Sequence, residues 1–480
     1  MRDLTDIALN LAKLKGASYA DIRIVRGKQE SLEVKNGSPE QIKYSESLGF
    51  GVRVIVDGAW GFASSSRLEK DEIERVTQLA VRIARASATA KIADVVLSPL
   101  EPVQASYKTP FLKDPFEVPL AQKLDLLLRA EALLRREREV KVARGSMIAW
   151  REEKTFASTE GSFIQQQILH CGAGIMATAV RDGDVQVRSY PNSFRGNFAS
   201  SGYEFIESLG LAENAERVAS EAVQLLGADH CPSKITTVII DGSQLALQVH
   251  ESCGHPIELD RVFGTEASYA GTSFLTTDKL GKFRYGSPIV NIVADATTEG
   301  GLGTFGFDDE GVPAQRVQIV KDGIFCGYLT SRETAARLGI RSGGAMRADG
   351  WNRIPLIRMT NVSLEPGDWK LEDMIADTDE GIYLETNKSW SIDEKRLNFQ
   401  FGTEVAWEIK RGKLGRMLKN PTYTSITPRF WGSCDAIANR DYWKMWGTPN
   451  CGKGEPVQIM HTGHGASPAR FRNIQVGVMK

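Results

Sequence analysis

Along the first ninety positions, apolar residues recur at spacings of three and four, then of two, then of three and four again. "LTDIALNLAKLKG" (4–16) carries the helical period. "YADIRIVRG" (19–27), "SLEVKNG" (31–37), "EQIKYSESLG" (40–49), "FGVRVIVDG" (50–58) and "AWGFASSS" (59–66) read as strands. Asn36-Gly37 and Asp57-Gly58 stand between them, and such dipeptides favour hairpin turns with positive φ. "EKDEIERVTQLAVRIARA" (69–86) closes the unit as a helix. After a proline-containing break at 97–119 the pattern returns. A helix (120–137) precedes strand-like segments at 140–150, 154–161, 162–172, 173–183 and 184–190, and a second helix (214–228) ends the run. Glu160-Gly161 and Asp182-Gly183 occupy the turn places. This is the signature of a duplicated unit.

From 229 onward the pattern is mostly of strands, with one principal helix after "SKITTVIID" (233–241). Asp322-Gly323 and Arg411-Gly412 mark further hairpins. The expected fold class is therefore α+β. A duplicated helix–antiparallel-sheet–helix region (1–110 and 111–228) precedes a β-rich domain (229–480) that carries the histidine-bearing helix. Polar strand residues Gln41, Lys43, Gln165, Gln166 and Gln167 would share one sheet face. That face is either ordinary solvated surface or a trough that adds an extended peptide to an open edge.

Composition changes this picture little. The chain has 480 residues, 42% hydrophobic and 25% charged, with a formal net charge of -1. That length exceeds one hydrophobic core, and the charge lacks the basic excess of a nucleic-acid binder. No apolar run is long enough to span a membrane and no secretory leader is visible, so a cytoplasmic location is expected. The six cysteines, 171, 231, 253, 326, 434 and 451, form no CxxC pair. They fit free thiols or isolated ligands rather than a disulfide framework.

Of six histidines, two fall within "LQVHESCGHPIEL" (247–259). H-E-x-x-H on a helix puts both imidazoles on one face with the glutamate beside the metal. Here the spacing is one residue longer, and His250 and His255 would be about 140° apart on an ideal α-helix. Gly254 lowers the cost of local distortion, Pro256 disfavours an α conformation at His255, and a π-bulge would absorb the extra residue. A metal site therefore requires a non-ideal helix, and two hydrogen-bonded core histidines are the alternative. Zinc sites that hydrolyse need a third protein ligand and a base. Candidates for the ligand are Cys451, Cys253, His461, His464 and Glu258. The glycine-rich stretch "GTPNCGKGEPVQIMHTGHGASPARFR" (447–472) reads as a loop that could cross the site. Asp308, Asp309 and Glu310 are either acceptors for the histidines or a solvated turn. The aromatic segment 429–449 reads as core or a dimer contact.

"HESCGHPIELD" also resembles the H-E-x-x-x-H motif of the TldD/PmbA metalloproteases, on the TldD side. "DDEGVPAQ" (308–315), "GYLTSRETAARLG" (327–339), "RMTNVSLEPG" (358–367), "GIY" (381–383), "CGKG" (451–454) and the N-terminal "SLGFGVRVIVDGAWGFASS" match in order. The resemblance implies a Zn²⁺-dependent peptidase acting on short or unfolded peptides inside a closed dimer lumen. The dimer partner would be a PmbA-like paralogue or a second copy of the chain. It implies His250, His255 and Cys451 as metal ligands and Glu251 as the catalytic glutamate. Many relatives carry "VGVGQP" where this chain has "MHTGHGASP", which leaves His461 and His464 near the ligand loop. The competing reading is a peptide-binding or scaffold subunit whose metal is structural or vestigial and whose partner is the enzyme.

Overall fold

The computed structural model describes residues 1–268 and 271–477. It is a mixed α/β, sheet-rich protein. One large sheet contains β1 (Tyr19–Lys35), β2 (Ser38–Val56), β3 (Ala59–Ser65), β4 (Gln104–Lys108), β5 (Val140–Ser158), β6 (Phe163–Arg181), β7 (Asp184–Tyr190) and β8 (Asn197–Ala199). The strand order is β3-β2-β1-β5-β6-β4, with β7 and β8 also pairing with β6. All pairings are antiparallel except that of β4 with β6. Asn36-Gly37, Asp57-Gly58 and Asp182-Gly183 all have positive φ and form hairpin turns, as the dipeptides predict.

The strands are longer than the pattern suggests. Segments 19–27 and 31–37 fuse into β1, 40–49 and 50–58 into β2, and β5 and β6 each join two segments likewise. The polar residues between them resemble loop residues, but they continue the ladder. Lys28 pairs with Glu46 and Gln29 with Ser45 without a break in register. Most of them are partly or fully exposed, and Glu30 is paired with Lys123 of the helix Leu120–Leu134.

Helices α1 (Arg2–Leu14) and α2 (Lys70–Ala88) cover one end of the sheet around Ile22, Phe50, Val52, Ile73 and Val76. Gly61 on β3 allows α2 to approach closely, since a Cβ there would lie 2.1 Å from the Ala80 carbonyl. Helices α3 (Leu120–Leu134) and α5 (Leu211–Gly227) cover the other end around Leu127, Ala130, Ala173, Ala215 and Val218. Between α2 and α5 lies only the short α4 (Tyr203–Ser208) besides α3.

The remainder holds a second eight-stranded sheet, a four-stranded sheet, and a separate hairpin of Lys444–Lys453 with Gln458–Ala466. The turns at Asp322-Gly323 and Arg411-Gly412 also have positive φ. Phe430 and Trp431 of the aromatic segment are core, whereas Tyr442, Trp443 and Trp446 are half-buried. Phe430 stacks on Phe471 at 4.0 Å, and the Trp431 indole donates to the Ser252 hydroxyl at 3.0 Å. All six cysteines are free.

Asp308, Asp309 and Glu310 neither contact the histidines nor face solvent. They are 2%, 1% and 2% exposed and clamp the C-terminal region to the large sheet. Asp309 accepts from the Lys154 ammonium and the Ala348 N–H, both at 2.7 Å, and pairs with Arg23. Glu310 accepts from Arg53 at 3.3 Å and from the Arg332 N–H at 2.7 Å. Asp308 accepts three backbone N–H groups, from Glu310, Val312 and Met346. Burial, then the Glu310 charge, pushes its carboxyl up to about 8. Gln166, expected on a trough face, also bonds across this junction, to the backbone of Gly306 and Phe307, whereas Gln41, Lys43 and Gln165 remain exposed.

Candidate metal centre

Strand Lys234–Ile240 runs into helix α6 (Gly242–Val249), capped by the Asp241 carboxylate, which accepts the Ser243 N–H at 2.8 Å. Every residue of α6 is buried. At His250 the helix widens into a π-turn, His250–Gly254, and the His255 N–H donates to the His250 carbonyl at 3.1 Å. That i→i+5 bond absorbs the extra residue and brings the two imidazoles together, with ring centroids 4.9 Å apart at 90°. One detail differs from the sequence reading: Pro256 does not push His255 out of the α region (φ -68, ψ -43), because the π-turn hydrogen bond holds it there. Gly254 lies within the π-turn and is also packed tightly, since a Cβ would lie 2.2 Å from the Met359 sulfur and that side chain would have to shift.

The donor atoms of His250, His255 and Cys451 lie within 4.8 Å of one another. The Cys451 sulfur is 3.9 Å from Nε2 of His255. A tetrahedral ion with bonds of about 2.0–2.3 Å holds its donors roughly 3.5 Å apart, so small side-chain movements close this set on one ion.

The five third-ligand candidates take different places. Cys451 joins the donor set. Cys253 is fully buried in the core, and burial pushes its thiol up to about 12. Glu258 accepts from Nδ1 of His255 at 3.1 Å, which leaves Nε2 as the free lone pair. Glu258 is itself held by Arg261 at 3.3 Å and lies 3.4 Å from the Lys453 ammonium, and Lys453 in turn donates to Asp260 at 2.8 Å.

His464 fixes the other ring. Its Nδ1 is 2.9 Å from the Val362 carbonyl, which can only accept, so Nδ1 carries the proton. Burial, then the nearby His250, holds the His464 ring well below its ordinary pKa, so it is neutral and Nε2 is bare. The 2.7 Å contact between His464 Nε2 and His250 Nδ1 is therefore a bond donated by His250, and Nε2 of His250 faces the donor set unprotonated. Both imidazoles thus present a lone pair, each oriented by an acceptor behind it. Burial also keeps His250 and His255 below their usual range. Burial raises the Cys451 thiol, but Arg358 and His255 outweigh it and the net shift is downward, toward thiolate. This donor set, two imidazoles and an acidified thiol, suits zinc.

Glu251 stays outside the donor set. Arg396 donates to it at 2.5 Å. Arg396 sits in the left-handed region (φ 64) in the turn between strands Glu380–Ile392 and Asn398–Lys410. Nothing in "DEKRLN" (393–398) links that turn to a site 145 residues earlier, so sequence reasoning passes over Arg396.

His461 lies away from the metal ligands. Cys451 pairs with Met460, and strand alternation turns His464 to the donor set and His461 to the opposite face of the hairpin. There His461 packs on Trp150, ring centroids 4.4 Å apart, and contacts His170. A cavity of about 800 Å³ lies on this side, walled by β1, β2, β5 and β6 and by the hairpin through Asn450 and Met460. His250, Glu251 and His255 do not line it.

Fold and donor set together define the class: a mixed α/β, sheet-rich chain whose curated relatives are metalloproteases. A metalloprotease of Methanocaldococcus jannaschii is 32% identical over 86% of this chain and 88% of its own length. One of Synechocystis is 31% identical over 99% of both chains. A zinc metalloprotease TldD homolog of Saccharolobus solfataricus is 24% identical over 96% of this chain and 97% of its own. The chain belongs to the PmbA/TldD metallopeptidase family. It matches the PmbA/TldA metallopeptidase domain 1 at 20–84, the central domain at 113–227 and the C-terminal domain at 233–478. Among solved structures, a Thermotoga maritima protein superposes with a TM-score of 0.78 at 20% identity, covering 99% of this chain and 100% of that one. TldE from Thermococcus kodakarensis superposes with 0.72 at 16%, covering 98% and 99%. At these identities the likeness is one of fold. Among the described residues, no helix is long and apolar enough to cross a membrane.

Proposed function

We propose that this protein is a zinc-dependent peptidase in which His250, His255 and Cys451 hold the metal and Glu251 is the general base. The observation that carries this reading is the convergence of two lone-pair imidazoles and an acidified thiol beside a carboxylate that no donor position needs. A purely structural site has no use for that carboxylate, which favours an enzyme over a scaffold subunit. Zinc in this set supplies a Lewis acid for the scissile carbonyl and for the attacking water. Glu251 takes the proton from that water and delivers it to the departing amine nitrogen. Arg396 anchors Glu251 and keeps a positive charge beside it. Glu258 and His464 hold the imidazole rings through their Nδ1 atoms.

Short or unfolded peptides are the substrates in this reading, and cleavage takes place in the lumen of a dimer with a PmbA-like paralogue or a second copy. Burial supports such gating: His250, Glu251, His255 and Cys451 are 3%, 6%, 5% and 4% exposed, so a folded protein cannot reach them. We also read 1–110 and 111–228 as copies of one helix–sheet–helix unit and 229–480 as the domain that carries the metal helix. Both Asp-Gly turns, at 57 and 182, support the duplication.

The test is Glu251→Gln in zinc-loaded protein. It should bind zinc as wild type does and lose cleavage of an unfolded peptide by about 10²–10⁴-fold. Full-rate cleavage by this variant removes the base assignment. Cleavage that survives complete chelation of the metal removes the peptidase mechanism.

A further inference from the structure

The cavity on the far side of the hairpin has an unusual electrostatic feature. Lys28, Arg151, Lys154, Arg195 and Arg347 all line it. Four of these cations already have carboxylate partners: Lys28 has Glu46, Arg151 has Asp114, Lys154 has Asp309, and Arg195 has Glu33. Among the described residues, Arg347 has no carboxylate within salt-bridge distance, although it is only 9% exposed. Both of its hydrogen bonds leave from Nη1, to the Met359 carbonyl at 3.0 Å and the His461 carbonyl at 2.7 Å. Burial and the neighbouring Arg358 charge pull this guanidinium down to about 10. A buried cation without a counter-ion is costly, and such sites are normally paired.

The anions on the same wall do not fill the role. Asp308 and Asp309 are engaged in the clamp, and Glu46 and Glu152 are paired with lysines. Asp349 is exposed and accepts the Ile459 N–H at 2.8 Å.

A second unmet group lies beside Arg347. His170 is 6% exposed, and its Nε2 is buried with no hydrogen-bond partner. Its Nδ1 is 2.8 Å from Nδ1 of His461, so one ring donates and the other accepts. Burial holds both rings neutral, and the Arg347 charge acts on both. When His461 is the donor, His170 carries its proton on Nε2, which is then a buried N–H without a partner, in a residue that lines the cavity.

We propose that Arg347 and His170 form a carboxylate-binding subsite for the peptide, which takes a free C-terminal carboxylate or an acidic side chain. This rests on the peptidase reading. The same hairpin carries both groups on opposite faces: Cys451 pairs with Met460, the neighbour of His461.

The test uses three unstructured peptides: one with a free C-terminal carboxylate, the same peptide as its C-terminal amide, and that amide with one internal aspartate. Affinity is measured calorimetrically on zinc-loaded Glu251→Gln protein, where turnover does not interfere. The acid should bind about 10- to 100-fold more tightly than the amide. The aspartate peptide approaches the acid if side chains are also accepted, and matches the plain amide if only chain ends are. Arg347→Gln and His170→Phe, each added to that background, should reduce the acid to the amide's affinity, wholly for the first and severalfold for the second. If Arg347→Gln fails to fold, His170→Phe carries the test. Equal affinity for all three peptides overturns the subsite. Zinc-dependent cleavage of acid and amide at equal rates overturns it too, and leaves the peptidase reading intact. Acid-selective binding without any cleavage does the reverse.

Discussion

The metal centre and the acidic clamp are both knots of buried ionisable groups in the C-terminal region, and they are built on opposite principles. In the clamp each carboxylate meets its complement inside the protein. Asp309 has Lys154 and Arg23, Glu310 has Arg53, and the remaining oxygens take backbone N–H groups. In the metal centre the protein satisfies only the outward side of each ligand. Glu258 and His464 take the Nδ1 protons, and the two Nε2 lone pairs and the Cys451 sulfur are left pointing at one another. A cluster that cancels its own charge holds domains together. A cluster that leaves lone pairs convergent holds a cation. The distinction lies in the partners, not in the residue types of the cluster.

One substitution probes the clamp, and a pair at one position probes the metal centre. Asp309→Ala should have the larger effect on the fold. It strands Arg23 and leaves Lys154 with Glu152 alone in a buried junction, and loss of one partner from a buried pair costs about 3–5 kcal/mol. Chemical denaturation should show the midpoint shift while zinc stoichiometry stays unchanged. A drop in bound zinc without a loss of stability would make the acidic cluster part of the metal site after all. His464→Phe should act the other way and more modestly. It removes the acceptor behind His250 and should weaken zinc binding by about 10- to 100-fold, a typical cost for a lost outer partner of a ligand. His464→Gln, which keeps an acceptor and a donor, should recover part of that loss. Zinc affinity unchanged in His464→Phe would reduce His464 to packing.

The same contrast explains what could be read from the residues. The helix–strand–helix alternation and the Asn-Gly and Asp-Gly turns were legible because turn chemistry and period are local. The length of β1 and β2 was not, because a partly exposed, polar stretch of strand has the composition of a loop. In the metal centre, H-E-x-x-x-H announced itself, and the extra residue pointed to a widened turn that the chain does adopt at His250–Gly254. The ligand set came from the family resemblance, since spacing alone left Cys451, Cys253, His461, His464 and Glu258 open. What sorts those five is which face of a strand or helix each occupies, and that depends on a hairpin some 200 residues downstream. The clamp was misjudged for the same reason: Arg23, Arg53 and Lys154 reach "DDE" from another sheet, and no local pattern records them. Arg396 and Arg347 left no local trace at all.

X-ray absorption at the zinc edge of the loaded protein reads the donor set itself. The account predicts one sulfur scatterer at about 2.3 Å together with nitrogen or oxygen at about 2.0–2.1 Å, and loss of the sulfur shell in Cys451→Ser. A shell of nitrogen and oxygen alone in the wild-type protein would contradict it.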